Sequence, residues 1–478
     1  MRFLEIFKQL NHIPRPSHHE ERVADFLCQF AERLGLSYDR DSQNCVVIRK
    51  AATPGHENAT PVVILNHMDM VCVAEAGRSF DPLNDAIIAY EDNGWLKAEG
   101  TSLGADNGIG LSMALAILED DSIVHGPLEV ITTTNEEDGM TGASALSPDF
   151  LRGRKVINLD SEDYDTITTG AAGAYLQIHH LPLRRMAPPS DRNGWLRLTI
   201  EGGRGGHSGV DINKGRASAT MLMLKLLSTL CDEVMVNVAS IDAGQASASI
   251  ASSATAIVCV NEDSAEQIKG REAQFNKWMH DEYGETDPNV RLTITAAEPH
   301  RNVIDNEDVK ALVAALQHIP QGVVKMSESM PGTVETSNNV GRITTEESEF
   351  TVSTHTRSFV EADMIALGKE IKSIFEKNGT TSELLMEAPA WQENQHSDFL
   401  QLTSDTFNDV LGWRPRMVAM HFVFEAGFFV QKYPGIEMAS IGPRIVEPHS
   451  TSERVELSTC HDIWRVTVEL LRRLAQAQ

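Results

Sequence analysis

Val62-Val-Ile-Leu-Asn-His-Met-Asp-Met70 begins as an apolar run and ends in His67 and Asp69. The apolar part predicts a buried strand, and similar segments alternate on either side of it. They are a helix over about 17–34, a strand at 45–48, a helix at about 107–118 and strands at 128–133 and 156–159. Ser17 and Glu20 fit a capping box for the first helix. Alternating strands and helices predict an α/β fold with a mixed, largely parallel sheet flanked by helices.

The composition changes at Met186-Ala-Pro-Pro-Ser-Asp-Arg-Asn-Gly194, which is typical of a linker. Beyond it, strands with one exposed face alternate with amphipathic helices, a pattern typical of antiparallel α+β structure. From about residue 388 the chain returns to buried segments. We therefore predict a discontinuous catalytic domain, 1–187 and 388–478, interrupted by an inserted lid and dimerisation domain with antiparallel strands, 188–387.

The composition excludes some classes of partner. Lys and Arg number 41 against 68 Asp and Glu, so the formal net charge is −27, which argues against nucleic acid or an anionic membrane as the main partner. The N-terminus lacks the features of a signal peptide, and the sequence contains no apolar stretch of membrane-spanning length, so we expect a cytoplasmic protein. Six scattered cysteines without CxxC spacing indicate neither a disulfide framework nor a thiolate zinc site.

His67 and Asp69 are two residues apart at the end of the predicted strand. In an extended chain this spacing puts both side chains on one face, so Asp69 is able to orient the imidazole of His67. A polar strand end is the alternative explanation of the same pattern.

Asp106 lies in the glycine-rich segment Gly100-Thr-Ser-Leu-Gly-Ala-Asp-Asn-Gly-Ile-Gly110, just before an apolar helix. An Asp at the start of a helix is most often an N-cap. A nucleotide-binding loop is disfavoured because neither GxGxxG nor GxxxxGK[ST] is present.

Further carboxylates follow two other predicted strands. Glu136, Glu137 and Asp138 come directly after the strand 128–133, and Asp160 ends the next. A run of three acids is most often a solvated loop, but α/β proteins place their sites at this edge of the sheet. Two adjacent carboxylates are able to divide the work, one binding a cation and the other transferring a proton.

Taken together, these residues form a coherent set of metal ligands. Two imidazoles and three carboxylates suit two divalent ions that share one bridging carboxylate. The set comprises His67, Asp106, Glu137, Asp160 and, in Pro448-His-Ser450 after the strand-like segment 437–441, His449.

Seven motifs in order resemble the aminoacyl-histidine (Xaa-His) dipeptidases, within the co-catalytic zinc exopeptidases that include carnosinases and glutamate carboxypeptidases. The motifs are Ile13-Pro-Arg-Pro-Ser-His-His-Glu20, His67-Met-Asp-Met-Val71, the segment 100–110, Asn135-Glu-Glu-Asp-Gly-Met140, Leu159-Asp-Ser-Glu162, Gly205-Gly-His-Ser-Gly209 and Pro448-His-Ser450. The resemblance spans nearly the whole chain. It implies hydrolysis of dipeptides, Xaa-His and other unblocked dipeptides among them, by a cytoplasmic homodimer that associates through the inserted domain.

The resemblance also implies a role for each site residue. Asp106 would bridge two metal ions, most simply Zn²⁺ with Mn²⁺ or Co²⁺ as replacements. Glu137 and His449 would complete one site, and His67 and Asp160 the other. The remaining roles are Asp69 orienting His67, Glu136 as general base, His207 stabilising the oxyanion, and Arg357, Asn339, His421 and Glu425 binding substrate.

The chain departs from the family pattern at Ala248, where relatives carry asparagine, and at Val423, where they carry glycine. Because neither change touches a metal ligand, the class of activity is better supported than the substrate preference. A related amidohydrolase acting on N-acyl amino acids, as a deacylase or carboxypeptidase, is the alternative enzyme, and a catalytically silent peptide-binding relative is the alternative from another class.

Overall fold

The computed structural model describes residues 1–377, 379–392 and 397–476. The chain divides into two compact units: unit 1 is Met1–Ala171, Trp391–Ala419 and Phe424–Gln478, and unit 2 is Ala172–Ala390 and Met420–Val423. The strand Gly173–Pro182 belongs to unit 2 because it pairs along its length with two other strands of that unit. The segment 186–194 therefore lies within unit 2, where it connects two strands instead of linking two domains.

The elements follow one another along the chain in three blocks. The first block, in unit 1, contains α1 (Arg2–Leu10), α2 (Glu21–Leu34), β1 (Ser37–Arg40), β2 (Val46–Lys50), β3 (Val62–His67), β4 (Ala89–Asp92), β5 (Trp95–Ala98), α3 (Ala105–Glu119), β6 (Leu128–Thr133), α4 (Thr141–Ala145), β7 (Lys155–Asn158) and β8 (Thr166–Ala171). The second block, in unit 2, contains β9 (Gly173–Pro182), β10 (Arg185–Met186), β11 (Gly194–Glu201), β12 (Gly206–His207), α5 (Ala219–Glu233), β13 (Asn237–Ala243), β14 (Ser249–Ile250), β15 (Ala254–Val260), α6 (Glu262–Tyr283), β16 (Arg291–Ala296), β17 (Val303–Ile304), α7 (Asn306–Gln317), β18 (Gly322–Met326), β19 (Val334–Thr345), β20 (Glu349–Ser358), α8 (Glu361–Glu376) and β21 (Thr381–Ala388). The third block contains α9 (Asp398–Leu411), β22 (Arg416–Met420), α10 (Ala426–Lys432), β23 (Glu437–Ser440), β24 (Ile445–Val446), β25 (Arg454–Glu456) and α11 (Leu457–Gln476).

The main sheet of unit 1 has the strand order β1-β2-β6-β3-β7-β23-β8-β22. Its four central strands, β6, β3, β7 and β23, are parallel, whereas β1, β2 and β8 pair antiparallel. The prediction of an α/β fold with a mixed sheet is confirmed. Because β6, β3 and β7 are parallel neighbours, their carboxyl ends meet at one edge of the sheet.

Strand β3 is buried on both faces, which explains its uninterrupted apolar sequence. Val62 and Ile64 pack into the cluster formed with α1, α2, α3 and α11, whereas Val63 and Leu65 pack into a second cluster that includes side chains of α4 and α10. The sheet is therefore covered by helices on both faces. This leaves its edge strands and the connecting loops as the places for polar side chains.

Helix α3 is buried on nearly all sides. Gly110 allows it to approach β7, because a Cβ at this position would clash with the carbonyl oxygen of Leu159. Although α3 is this apolar, none of the helices in the described part of the chain is long and apolar enough to cross a membrane.

Unit 2 is built on a sheet with the order β16-β11-β15-β13-β19-β20-β9-β21, in which β18 also pairs with β19. The pairs within it are antiparallel, as predicted for the inserted segment. In the register of β19 and β20, Ser337 lies opposite Arg357 and Asn339 opposite His355. These four residues alternate along their strands, so their side chains share one face of the sheet.

Candidate functional site

Asp106 lies between two imidazoles in unit 1. Its Oδ1 is 3.0 Å from Nε2 of His67, and its Oδ2 is 3.1 Å from Nε2 of His449. Asp160 Oδ1 lies 3.2 Å from the same nitrogen of His67, and Glu137 Oε2 lies 2.8 Å from that of His449. The structure therefore brings all five predicted metal ligands together, with Asp106 central and one imidazole–carboxylate pair on each side.

The parallel sheet explains this convergence. His67 is the last residue of β3, Glu137 follows β6 after a short loop, and Asp160 follows β7. In the register of β3 with β6, His67 lies opposite Thr133, the final residue of β6. Three adjacent strand ends therefore supply three of the ligands, as the carboxyl edge of an α/β sheet typically does.

Asp106 does not use its side chain as a helix N-cap. Its backbone is non-helical (φ −78°, ψ 114°) at a kink near the start of α3, and its carboxylate is turned to the two imidazoles. The sequence does not predict a role for the neighbouring Asn107, although it lies in the same glycine-rich motif. Its Nδ2 donates to Asp160 Oδ1 at 2.5 Å and to the carbonyl of Leu159 at 2.7 Å, so it ties the start of α3 to the end of β7.

The electrostatics of this cluster suit a divalent cation. Burial raises the pKa of Asp160 to about 6 and also raises that of Glu137. Neighbouring carboxylates act in the same direction, because they oppose a further negative charge. Among the described residues, no group hydrogen-bonds the buried Oε1 of Glu137. Atoms of His67, Asp106 and Glu137 lie within 4.8 Å of one another in a geometry able to hold a metal ion. The donor set, imidazole nitrogens and carboxylate oxygens, fits divalent ions of the zinc type.

Asp69 is fully buried and connects His67 to the loop after β6. Its Oδ1 lies 3.5 Å from His67 Nδ1, and its two oxygens accept the backbone N–H groups of Glu136 at 3.0 Å and Glu137 at 3.2 Å. Ser17 donates its hydroxyl to Asp69 at 2.8 Å, so the predicted capping box is wrong: α2 begins at Glu21 without a side-chain cap. Burial alone would raise the pKa of Asp69, but His67 and these donors outweigh it, and the pKa is lowered.

Glu136 has a different environment from its neighbour Glu137. Among the described residues, no group hydrogen-bonds its carboxylate. Burial raises its pKa well above the ordinary value, and the charges of Asp160, Glu425 and Glu137 act in the same direction, while His67 opposes them. A carboxylate with a raised pKa and free oxygens is suited to accept and return a proton.

In unit 2, His207 lies at the end of β12 with its protonation state set by the backbone. Its Nδ1 accepts the N–H groups of Gly209 and Val210, each at 3.1 Å. Nδ1 is therefore unprotonated and Nε2 carries the hydrogen. Burial, reinforced by the charge of Arg357, lowers the pKa of His207 to about 4, so the ring is a neutral donor at pH 7.

Arg357 is 3% exposed, and within the described part of the chain its guanidinium hydrogen-bonds only to the hydroxyl of Ser208, at 3.3 and 3.4 Å. Burial lowers its pKa to about 10. No carboxylate within the described ranges forms an ion pair with it. A buried guanidinium without a counterion is suited to bind an anionic group of a ligand.

The remaining predicted substrate residues make contacts within their own units. Asn339 uses both ends of its amide: Oδ1 accepts from Gln321 at 3.0 Å, and Nδ2 donates to the carbonyl of Ser249 at 2.8 Å. His421 Nε2 lies 2.7 Å from Ser337 Oγ in unit 2. Glu425 belongs to unit 1.

Glu425 is fully buried and accepts the hydroxyl of Thr133 at 2.7 Å. This contact is at the end of β6, immediately before the segment that carries Glu136 and Glu137. The two positions that depart from the family pattern, Ala248 and Val423, both lie in unit 2. The carbonyl of Ala248 accepts the N–H of Ser208, so this position contributes its backbone to the His207 segment.

Comparison with known proteins shows which family this chain belongs to. Residues 63–473 match peptidase family M20/M25/M40. The cytosol non-specific dipeptidase of Escherichia coli strain K12 is 33% identical over 470 residues, which cover 98% of this chain and 97% of the relative. The crystal structure of aminoacylhistidine dipeptidase from Vibrio alginolyticus matches with a TM-score of 0.91 at 33% identity, covering 99% of this chain and 96% of that one. That of aminopeptidase PepT from Bacillus cereus shares the fold, with a TM-score of 0.62 at 17% identity over 99% of this chain and 98% of that one. The chain belongs to peptidase family M20/M25/M40.

Proposed function

We propose that this protein hydrolyses the peptide bond of unblocked dipeptides, Xaa-His among them, with the help of two divalent metal ions. The observation that carries the proposal is Asp106, which offers one carboxylate oxygen to each of two imidazole–carboxylate pairs. A carboxylate in this position is able to bridge two ions. The names of the Escherichia coli and Vibrio relatives, both dipeptidases, support the choice of substrate.

The proposed ligand sets follow the distances. His67 and Asp160 would hold one ion, Glu137 and His449 the other, and Asp106 both. We propose zinc as the ion, with manganese or cobalt as replacements, because nitrogen and oxygen donors in small numbers suit it. When bound, two such ions supply Lewis acidity toward a peptide carbonyl and lower the pKa of water from 15.7 to about 7.

Glu136 would act as the general base. No described residue hydrogen-bonds its oxygens and its pKa is raised by burial, so it is able to take the proton of the attacking water and return it to the leaving amine. Asp69 would position the general base Glu136, whose backbone N–H it accepts, and the metal ligand His67, which lies beside it.

His207 would stabilise the oxyanion that forms on the peptide carbonyl. The backbone N–H groups on Nδ1 leave Nε2–H as the donor, and the low pKa keeps the ring neutral. A donor held in one tautomer before the reaction needs little reorganisation when charge develops.

Arg357 would bind the terminal carboxylate of the dipeptide. It is buried and has no counterion among the described residues, which supports this role, since an anionic substrate would supply the missing charge. His421, hydrogen-bonded to Ser337 opposite Arg357 in the sheet, would flank the same group. Asn339 and Glu425 would contribute to substrate binding indirectly. Asn339 would position the segment of Ser249, to whose carbonyl it donates, and Glu425 would position the end of β6, where it accepts the hydroxyl of Thr133.

We further propose that unit 1 is the catalytic domain and that unit 2 serves substrate recognition and homodimer formation. Unit 2 carries exposed apolar side chains on two strands at its edges, β18 and β21. They are Val323, Val324, Met326, Leu384, Leu385 and Met386. Exposed apolar residues on edge strands favour association with another chain. A cytoplasmic location is supported by the name of the Escherichia coli relative.

Metal analysis coupled to a substrate panel tests the proposal. We expect about two ions per chain, loss of hydrolysis on chelation, and recovery with Zn²⁺ or Mn²⁺. Free dipeptides such as Xaa-His should be cleaved faster than the matching N-acyl amino acids. A preference for N-acyl amino acids would favour a deacylase or carboxypeptidase, and a chain that binds no metal and cleaves neither class would be a silent relative.

A further inference from the structure

Glu453 caps helix α3 from a distant part of the chain. Its carboxylate, in a residue 3% exposed, accepts the backbone N–H groups of Leu103 at 2.7 Å, Gly104 at 3.0 Å, Ala105 at 2.8 Å and Asp106 at 3.4 Å. These four consecutive N–H groups converge on one carboxylate, as they do in an anion-binding backbone nest. Because Glu453 satisfies them, both oxygens of Asp106 remain available to His67 and His449.

Glu453 also belongs to the loop that carries His449. Its backbone N–H donates to the carbonyl of Ser450 at 3.2 Å, and His449 itself has a positive φ of 57° in the same loop. A single side chain therefore connects the segment of Asp106 to the segment of His449. Two ligands that are more than 340 residues apart in sequence are held at a fixed spacing by this contact.

Arg15 holds the opposite side of the same turn. Its guanidinium, in a residue 1% exposed, donates to the carbonyl of Gly104 at 2.6 Å and to the carbonyls of Met68 at 3.1 Å and Asp69 at 3.0 Å. Gly104 has a φ of 65°, and a Cβ there would lie 2.6 Å from Arg15 Nη2, so only glycine fits. The N–H of Gly104 thus binds Glu453 while its carbonyl binds Arg15.

We propose that Glu453 is a positioning residue for the metal centre, with Arg15 as its counterpart, and that the two hold Asp106, His449 and the segment after His67 at the spacing that a pair of divalent ions requires. This inference rests on the proposed function. Without Glu453, the buried N–H groups of the turn 103–106 would lose their acceptor, and the turn would have to shift to find other partners. Asp106 would then no longer be held against the imidazoles.

Glu453→Gln tests this inference, with Glu129→Gln as the matched control. Glu129 is also 3% exposed in unit 1 and accepts two backbone N–H groups, those of Arg152 and Gly153, each at 2.8 Å, but it makes no contact with the turn 103–106. Metal-free proteins are titrated with Zn²⁺ against a competing chelator, their thermal unfolding is recorded without metal, and the absorption spectra of their Co²⁺ forms are compared.

We expect Glu453→Gln to bind at least one ion 10- to 100-fold more weakly than the wild type and to change the Co²⁺ spectrum, as the loss of groups that orient metal ligands typically does. Glu129→Gln should lower the unfolding temperature but keep wild-type metal affinity. If the affinity of Glu453→Gln falls no further than that of Glu129→Gln, the inference is wrong.

Arg15→Lys is the second variant, to be measured in the same way if Glu453→Gln does not fold. Lysine keeps the charge but is unable to reach three carbonyl oxygens with a planar fork, so we expect weaker metal binding here too. Wild-type affinity in Arg15→Lys would overturn the inference. A wild-type chain that binds no ions would instead refute the proposed function, so the two failures are distinguishable.

Discussion

Replacing Arg357 with methionine should stabilise the protein and at the same time remove most of its activity. Burial lowers the pKa of Arg357 to about 10, well below the ordinary value of a guanidinium, which means that the native fold disfavours the charged form. At about 1.36 kcal/mol per pKa unit, this corresponds to about 3 kcal/mol of stability lost by keeping the guanidinium charged. An unbranched, neutral methionine fills similar space without the charge, so we expect the free energy of unfolding to rise by about 1–3 kcal/mol.

The same substitution should impair recognition of the substrate. Removing one partner of a buried charge pair costs about 2–5 kcal/mol, which is about 30- to 5,000-fold in kcat/KM. The assay compares kcat/KM for a dipeptide and for the same dipeptide with its carboxylate converted to an amide. The wild type should prefer the free carboxylate, whereas Arg357→Met should treat both substrates alike.

Arg192→Met is the control for this experiment. Arg192 is also buried in unit 2, at 8% exposure, but its guanidinium pairs with Asp191 at 3.1 Å. Its replacement should leave kcat/KM unchanged and should not stabilise the fold. If Arg357→Met destabilises the protein, or still discriminates against the amide, Arg357 does not hold a substrate carboxylate in the way we propose.

Three further predictions concern the metal centre and the buried His179 of unit 2. Glu136→Gln should retain both ions but lower kcat by about 10²- to 10⁴-fold, whereas Glu137→Gln should lose metal. Near-normal turnover in Glu136→Gln would show that Glu136 is not the general base. Chelation should lower the unfolding temperature of the wild type, because removal of the ions leaves like charges packed together, and added Zn²⁺ should restore that temperature. An unfolding temperature that chelation leaves unchanged would contradict this prediction. Burial, with His180 and Lys372 nearby, lowers the pKa of His179 to about 3. The unfolded chain therefore binds a proton that the native one does not, so stability present above pH 6.5 is lost as the pH falls, by about 2 kcal/mol at pH 5. His179→Gln should flatten this pH dependence of the unfolding free energy, and an unchanged slope would show that His179 does not cause it.

The ligands at strand ends could be predicted because their positions depend on local sequence. His67 and Asp160 each follow an apolar strand, and Glu137 follows another after a short loop, so a parallel sheet brings them to one edge. His449 completes the same donor set, but as one of 17 histidines it is a weak candidate by itself, and the resemblance to known peptidases supports it. The α/β class and the antiparallel character of the inserted segment followed from periodicity in the same way.

Contacts between distant segments could not be predicted. Glu453 binds a turn about 350 residues earlier in the chain, and nothing in its own neighbourhood indicates that partner. Ser17 has the spacing of a capping box, yet a tertiary contact with Asp69 takes its hydroxyl. The segment 186–194 has the composition of a linker because it is a turn, and composition does not distinguish a turn within a unit from a boundary between units.

The parallel arrangement of β6, β3 and β7 also has a consequence for how this site tolerates change in length. Neighbouring strands in a sheet are about 4.8 Å apart, so the lateral spacing of the ligands is set by backbone hydrogen bonds and not by the segments that connect the strands. Insertions in those connecting segments should leave the centre intact. A single residue inserted within β3, by contrast, would shift the register and turn His67 to the opposite face of the sheet. Natural variation in length should therefore accumulate between the motifs and be absent between each strand and the ligand that follows it.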